Sequence, residues 1–224
     1  MNGQKFHSSK KIGIICFEGN WHGRTMGAQM MGGNINQKEW IGYHDPNIYH
    51  IRFPYPWVLE EEKITAQDFL DQELNKLTSE KNISLEEDIC GFMLETFQGW
   101  GAIFYPKEFV KAIKDICIKN NILLTFDEMQ SGFSRTGKNF GYQHYSIKAD
   151  LLCCGKGIAS GFPLSAVIGT AEVMDLPEVG NMSSTHSANP FVCAAGLATL
   201  SEINRLNLTE ETKRKGDILF NRLD

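Results

Sequence analysis

Apolar runs alternate along the chain with segments whose apolar residues recur at helical spacing. Continuous apolar runs predict buried strands, and they occupy residues 11–17, 88–95, 122–126, 150–154 and 165–169. Helical spacing predicts a helix that begins at Thr65, where an acid follows the capping threonine by three residues, and helices over 106–121, 189–205 and 208–223. Residues 40–57 show neither period. We therefore expect a long irregular connection there.

This alternation predicts an α/β fold with a mostly parallel sheet and helices on both faces. In such sheets, ligands bind beyond the carboxyl ends of the strands. The 224 residues, 42% of them hydrophobic, suffice for a large core in one or two domains. We expect any site to lie where the strands end.

Charge and cysteine content narrow the choice of partners and compartment. A net charge of -5 gives no electrostatic reason to expect nucleic acid or an anionic membrane as a partner, and no apolar stretch approaches the length of a membrane span. Six cysteines show no CxxC pairing, which favours buried free thiols. Residues 1–11 also lack the apolar core of a signal peptide, so we expect a cytoplasmic protein. We expect no metal site.

Two of the predicted strands deliver a titratable side chain to their carboxyl ends. The run from Ile122 ends in Asp127, and the run from Leu151 leads to Lys156 between two glycines. A lysine amine can form a Schiff base with the aldehyde of pyridoxal phosphate, and a carboxylate can hold the pyridine nitrogen protonated. The pair therefore indicates a pyridoxal phosphate site.

Each of these residues also has a simpler interpretation. Asp127 could cap the turn that follows its strand, and most lysines are solvated surface charges. A phosphate-binding P-loop does not explain Lys156, because Gly157 stands where serine or threonine is required and Asp150 where glycine is required. The dinucleotide-binding fingerprint is also absent. A lysine flanked by glycines leaves room for a planar ring against the backbone.

Six sequence blocks together resemble the class III (subgroup II) pyridoxal-phosphate-dependent aminotransferases, the group of the acetylornithine, ornithine and 4-aminobutyrate aminotransferases. The blocks follow the family order and lie at residues 21–25, 95–99, 123–137, 149–157, 161–167 and 184–190. The resemblance implies the large domain of the fold type I transferases. It also implies a homodimeric transaminase, which moves an amino group from an amine or amino acid to a 2-oxo acid.

The resemblance also assigns roles to individual positions. It makes Lys156 the Schiff-base lysine and the proton carrier, and Asp127 the partner of the pyridine nitrogen. The other cofactor-binding positions that it implies are Gln130 near the phenolic oxygen, Trp21 against the ring face, His22 and Glu95 in support, and Thr185 on the phosphate of the neighbouring subunit. The role of Arg135 stays open.

Three departures from the family pattern affect these expectations. Thr96 replaces a proline, and Trp100 replaces a glutamate that pairs with an arginine in many members. A less polar or differently shaped amine pocket is therefore expected. The third departure is length, because family members are about twice as long. We expect a fragment, with residues 1–205 as part of the large domain and 206–224 as the start of a truncated small domain.

Two alternatives to transamination follow from these departures and from the family itself. Decarboxylases and aminomutases of the same fold share the motifs. A chain that lacks both flanking parts would also be weakly active or inactive in isolation, and could be a non-catalytic remnant that binds a partner chain.

Overall fold

The computed structural model describes residues 1–223, which divide after Phe126 into two compact units. The first unit contains α1 (Asn2–Phe6), β1 (Gly13–Phe17), α2 (Met26–Met31), β2 (Ile48–Ile51), α3 (Pro56–Glu62), α4 (Ala66–Lys81), α5 (Leu85–Asp88), β3 (Ile89–Glu95), β4 (Phe97–Gln98), β5 (Ile103–Phe104), α6 (Lys107–Lys119) and β6 (Leu123–Asp127), whose last residue opens the second unit. The second unit contains β7 (Leu151–Cys154), β8 (Ala166–Gly169), α7 (Ala171–Met174), α8 (Pro190–Arg205) and α9 (Leu208–Leu223).

Short 3-10 helices complete both units, at Ile35–Gln37, Glu39–Ile41, Gly141–Tyr145 and Lys156–Ala159. Within residues 1–223, no helix is long and apolar enough to cross a membrane.

The strands of the first unit run in the order β2-β1-β3-β6. Strand β1 is parallel to both of its neighbours, so that Ile14 lies opposite Ile48 and Ile15 opposite Phe92. Parallel strands are usually buried on both faces, and the almost continuous burial of β1 and β3 follows that rule. The predicted α/β class with a mostly parallel sheet is confirmed.

Aromatic side chains dominate the core of the first unit. The ring of Tyr105 lies 5.2 Å from that of Phe17 and 4.3 Å from that of Phe53, and Phe109 on α6 stacks on it at 5.8 Å. Phe69 on α4 reaches the same cluster through Phe109. Such pairs add about 0.5–1.5 kcal/mol each beyond the burial of their area, and this cluster holds α4 and α6 together.

The predicted helix starts agree with the structure. Thr65 precedes α4, and its Oγ1 accepts a hydrogen bond from the backbone N–H of Asp68 at 3.1 Å. This contact satisfies one of the N–H groups that a helix start leaves unpaired. Asn189 caps α8 in the same way, through the N–H of Phe191 at 3.0 Å. Both caps are short-range features that the sequence reveals directly.

The prediction of an irregular connection over residues 40–57 is wrong. This stretch contains β2 and the start of α3. Strand β2 has only four residues, two of them Tyr49 and His50, and it lacks both a long apolar run and a polar–apolar alternation. Its strand conformation comes from pairing with β1, a long-range contact that local propensity does not encode.

The second unit is built on an antiparallel strand pair. Strand β7 pairs with β8, with Leu152 opposite Ile168 and Cys154 opposite Ala166. Helix α8 packs closely on the segment after β7, since a Cβ at Gly196 would lie 2.8 Å from Leu164 and 3.7 Å from the carbonyl of Ile158. This packing supports the turn that carries Lys156.

Replacement of His50 is expected to reduce the sensitivity of the protein to acid. Burial, followed by the positive charge of Lys38, lowers the pKa of His50 from 6.5 to about 4. Between these two values the unfolded chain binds the proton and the folded chain does not, so the free energy of unfolding falls as pH decreases from 6.5 to 4. This histidine accounts for at most about 3 kcal/mol of that loss.

Urea unfolding of the full-length protein at pH 7 and pH 4.5 measures this effect. The His50→Gln variant should lose less stability between the two pH values than the unmodified protein does. A variant of the exposed His7, His7→Gln, serves as the control. Equal losses in the unmodified protein and in His50→Gln would contradict the role of His50.

Candidate active site

Asp127 and Lys156 lie in the second unit, where β6 and β7 end. Asp127 is the last residue of β6, and Lys156 follows β7 after a single glycine. The backbone N–H of Glu128 donates to the carbonyl of Cys153 at 2.9 Å, so the carboxyl ends of these two strands are neighbours. The structure therefore brings the two predicted catalytic residues to the neighbouring carboxyl ends of two strands.

The carboxylate of Asp127 is buried, with 6% of the residue exposed. Its Oδ1 accepts a hydrogen bond from the backbone N–H of Met129 at 2.9 Å, which is the turn-capping contact considered as an alternative role. Burial, followed by the charge of Asp127, raises the pKa of the Cys153 thiol to about 11. The capping role that the sequence left open is therefore present at Oδ1.

Lys156 begins the 3-10 helix Lys156–Ala159 in a left-handed conformation, with φ of 39°. Its side chain is exposed, and within residues 1–223 its amine has no hydrogen bond or ion pair. Residues other than glycine adopt this conformation at a cost of about 1–3 kcal/mol. An exposed amine held on a strained turn is available to react.

Gly155 makes the close packing before Lys156 possible. A Cβ at this position would lie 2.3 Å from the Sδ of Met129, which is far below any ordinary contact. The backbone of Gly155 is extended, with φ of -172°, so a larger residue here would displace the side chain of Met129 without straining the backbone of residue 155. Met129 is itself held by Asp127, and this contact ties the turn of Lys156 to the end of β6.

Gln130 and Thr185 are both exposed on the second unit. Neither side chain has a hydrogen bond among the described residues, and Thr185 lies in the segment after α7, close to the contact between Ser184 and Ser187. Their proposed contacts with a cofactor stay predictions. Arg135 is exposed as well.

Glu95 organises the predicted site residues of the first unit. It is the last residue of β3 and is 4% exposed. Its Oε2 accepts the backbone N–H of Trp21 at 2.9 Å, and its Oε1 accepts that of Gly99 at 3.3 Å. Hydrogen bonds to an ionised group stabilise by about 1.5–3 kcal/mol. Glu95 therefore fixes the loop of Trp21 and the loop after β4 relative to each other.

The ring of Trp21 is half-buried and already has a partner on one side. The guanidinium of Arg24 lies 4.4 Å from its ring centroid, within the range of a cation–π interaction. The predicted stacking on a cofactor ring would therefore use the face that Arg24 does not cover. His22, the next residue, is also half-buried.

A buried polar network that the sequence did not reveal supports the loop after β4. The hydroxyl of Tyr55 donates to Oε1 of Gln98 at 2.7 Å, and Nε2 of Gln98 donates to the carbonyl of Glu18 at 2.7 Å. Gly19 has a φ of 79°, and a Cβ there would lie 2.8 Å from Nε2 of Gln98. Gln98 therefore joins three separate segments of the first unit.

Trp100 extends from this network toward solvent, with 66% of the residue exposed. The ring of Tyr55 lies 6.5 Å from Trp100 and stacks on Trp57 at 4.6 Å. The three rings form an exposed aromatic cluster. Only Trp100 is indicated by the sequence, because the other two lie in the stretch whose structure was not predicted.

Comparison with known proteins agrees with this fold and these motifs. The sequence profile of the family described as aminotransferase class-III matches residues 1–224. The chain belongs to the class-III aminotransferase family, as the resemblance of its motifs indicated.

Three relatives illustrate the similarity. The chain is 33% identical to a 4-aminobutyrate aminotransferase of Mycobacterium leprae over 96% of its length, and 34% identical to a 2-aminoadipate transaminase of Pseudomonas putida over 96%. Among solved structures, an aminotransferase of Bacillus anthracis superimposes with a TM-score of 0.85 at 27% identity over 98% of the chain. The chain spans about half the length of these proteins, 49%, 50% and 50% respectively.

Proposed function

We propose that the protein is a pyridoxal-phosphate-dependent transaminase, which moves an amino group from an amine or amino acid to a 2-oxo acid. The observation that carries the proposal is the placement of Asp127 and Lys156 at neighbouring strand ends of the second unit. Membership of the class-III aminotransferase family supports it. The donor set fits the cofactor, since Lys156 offers an exposed amine with no hydrogen bond or ion pair among residues 1–223, and Asp127 offers a buried carboxylate at the neighbouring strand end.

The proposed role of each residue follows from its chemical group and from its burial or exposure in the fold. The cofactor supplies an electron sink for the bonds at the substrate carbon. Lys156 attaches the cofactor and then carries the proton between the substrate and the cofactor. Asp127 holds the proton on the pyridine nitrogen, because a carboxylate in a buried position favours a cationic partner. Gln130 binds the phenolic oxygen.

The remaining residues bind or support the cofactor. Trp21 stacks on the ring with the face that Arg24 does not cover, and Glu95 holds the Trp21 loop with His22 beside it. Thr185 binds the cofactor phosphate of a second copy, in a homodimer. We also propose that the protein acts in the cytoplasm, with residues 1–205 in the large domain and residues 206–224 at the start of the small domain.

Product analysis tests the reaction. The full-length protein, loaded with pyridoxal phosphate, is incubated with a panel of amines and 2-oxo acids. The proposal predicts a new amino acid that carries the donor nitrogen and forms only when both substrates are present. Release of carbon dioxide, or product formation without an external acceptor, would replace transamination by decarboxylation or aminomutase chemistry. No product of any kind would contradict the proposal.

Replacement of Trp100 by glutamate is expected to change the amine preference. The exposed aromatic cluster of Tyr55, Trp57 and Trp100 offers apolar surface and carries no positive charge that could pair with a carboxylate, which favours amines with an apolar side chain. In Trp100→Glu, the ratio of kcat/KM for an apolar amine to that for 4-aminobutyrate should fall at least about tenfold, the range that a pocket contact supplies.

Trp40→Glu is the matched control, because Trp40 is an exposed tryptophan of the first unit outside the cluster. Its ratio should equal that of the unmodified protein. An unchanged amine preference in Trp100→Glu would count against the apolar pocket.

A further inference from the structure

Glu128, which follows the predicted catalytic aspartate, is fully buried in the second unit. A buried carboxylate is costly unless its oxygens are hydrogen-bonded. Its Oε2 accepts the backbone N–H of Gly141 at 2.8 Å and the hydroxyl of Ser131 at 2.7 Å. Its Oε1 accepts the backbone N–H of Tyr142 at 2.7 Å. One side chain therefore closes the segment from 128 to 142 into a loop.

The main chain of Glu128 is fixed on two further sides. Its N–H donates to the carbonyl of Cys153 on β7, and its carbonyl accepts the N–H of Gly132 at 2.9 Å. A Cβ at Gly132 would lie 2.9 Å from that carbonyl oxygen, so a residue larger than glycine at this position would force the backbone of the turn to shift. The residue thus joins β6, β7 and the loop from 128 to 142.

The proposed cofactor contacts depend on these connections. Asp127 precedes Glu128, Gln130 lies two residues after it, and Lys156 lies three residues beyond its partner Cys153. Met129, next in the chain, is in contact with both Asp127 and the turn at Gly155. A shift of Glu128 would move all of these positions together.

We infer that Glu128 is a positioning residue, which sets the geometry of Asp127, Gln130 and Lys156 toward pyridoxal phosphate through its contacts with Gly141, Tyr142 and Cys153. The inference rests on the proposed function. The donors on both oxygens require a carboxylate, because an amide in the same place would direct its NH2 group at the backbone N–H of Gly141 or of Tyr142. Displacements of this kind are costly for catalysis even when they are small.

Glu128→Gln in the full-length protein tests this role. We expect the dissociation constant of pyridoxal phosphate to rise at least about tenfold, which corresponds to about 1.4 kcal/mol. The pH midpoint of the absorbance of the bound cofactor should move by at least about half a unit, a change of about 0.7 kcal/mol in the balance between its protonation states. Amide hydrogen exchange at Gly141 and Tyr142 should accelerate without cofactor as well.

Three matched variants accompany it. Glu128→Asp keeps the charge and loses reach, so it should lie between the unmodified protein and Glu128→Gln. Ser131→Ala removes one donor and leaves both backbone contacts, so the absorbance midpoint should stay unchanged. Glu172→Gln changes the same charge at an exposed position of the second unit and should match the unmodified protein in every measurement.

The outcomes separate the inference from the function on which it rests. If the unmodified protein binds no pyridoxal phosphate, both are overturned. If it binds the cofactor and Glu128→Gln matches it in affinity, absorbance midpoint and amide exchange, only the role of Glu128 is overturned. If Glu128→Gln does not fold, exchange at Gly141 and Tyr142 is compared with and without cofactor in the unmodified protein. Slower exchange on binding supports the role, and equal exchange overturns it.

Discussion

Lys156→Ala is expected to lower transamination by the full-length protein at least about a thousandfold, within the range that loss of a catalytic acid–base group produces. The alanine variant leaves the ends of β6 and β7 in place, but it has neither a nucleophile for the cofactor aldehyde nor a group to move the proton. Steady-state rates with the best amine and 2-oxo acid measure the loss.

Two further variants make this result specific. Lys156→Arg keeps a positive charge, but a guanidinium stays protonated and cannot attack an aldehyde, so it should be as inactive as alanine. Lys148→Ala removes an exposed lysine of the same unit and should retain full activity. If Lys156→Ala kept more than a tenth of the activity, the assignment of Lys156 would be wrong.

Gly33→Ala is expected to destabilise the protein by more than about 3 kcal/mol, beyond the usual range for an overpacked site. A Cβ at Gly33 would lie 2.1 Å from the carbonyl oxygen of Phe17 and 2.4 Å from the nitrogen of Gly19. Both atoms belong to the backbone just before Trp21, where no side chain can rotate away. The backbone N–H of Gly33 also donates to the carbonyl of Asn20 at 2.8 Å, which would be lost if the segment moved.

Gly27→Ala provides the control for this change. Gly27 lies in α2, and a Cβ there would meet nothing within 4 Å. Alanine is preferred over glycine in helices by about 1 kcal/mol, so this variant should be equal to or slightly more stable than the unmodified protein. Urea midpoints of the two variants compare them directly. Equal stability of Gly33→Ala and Gly27→Ala would contradict the close contact.

The sequence predicted those parts of the fold that depend on local chemistry. Thr65 is a capping residue with an acid three positions later, and α4 begins where this signal places it. The apolar face of α6, with Phe109 and Ile113 buried, follows its helical period. Strand β2 was missed because its pairing with β1 supplies what its four residues lack.

The same distinction applies to the candidate site. Asp127 and Lys156 stand out because each follows an apolar run and their motifs are those of a known family. Glu128 stands beside Asp127 with the same charge, and only the hydrogen bonds from Gly141 and Tyr142 reveal its separate role. These partners lie 13 and 14 residues away in the sequence, so no local sequence pattern predicts them.

Trp100, in the first unit, departs from the family pattern, and only the structure shows which residues surround it. Trp100 was recognisable from the sequence as an unusual residue. Its environment was not, because Tyr55 and Trp57 belong to the stretch without a period. Together the three rings add an exposed apolar surface to the less polar pocket that Trp100 alone predicted.

The most direct test of the central claim is an absorbance titration of the full-length protein with pyridoxal phosphate, followed by borohydride reduction and peptide mapping. We expect a new absorbance band on cofactor binding and a reduced adduct on Lys156. A full-length protein that gives no band, or an adduct on another lysine, would contradict this claim.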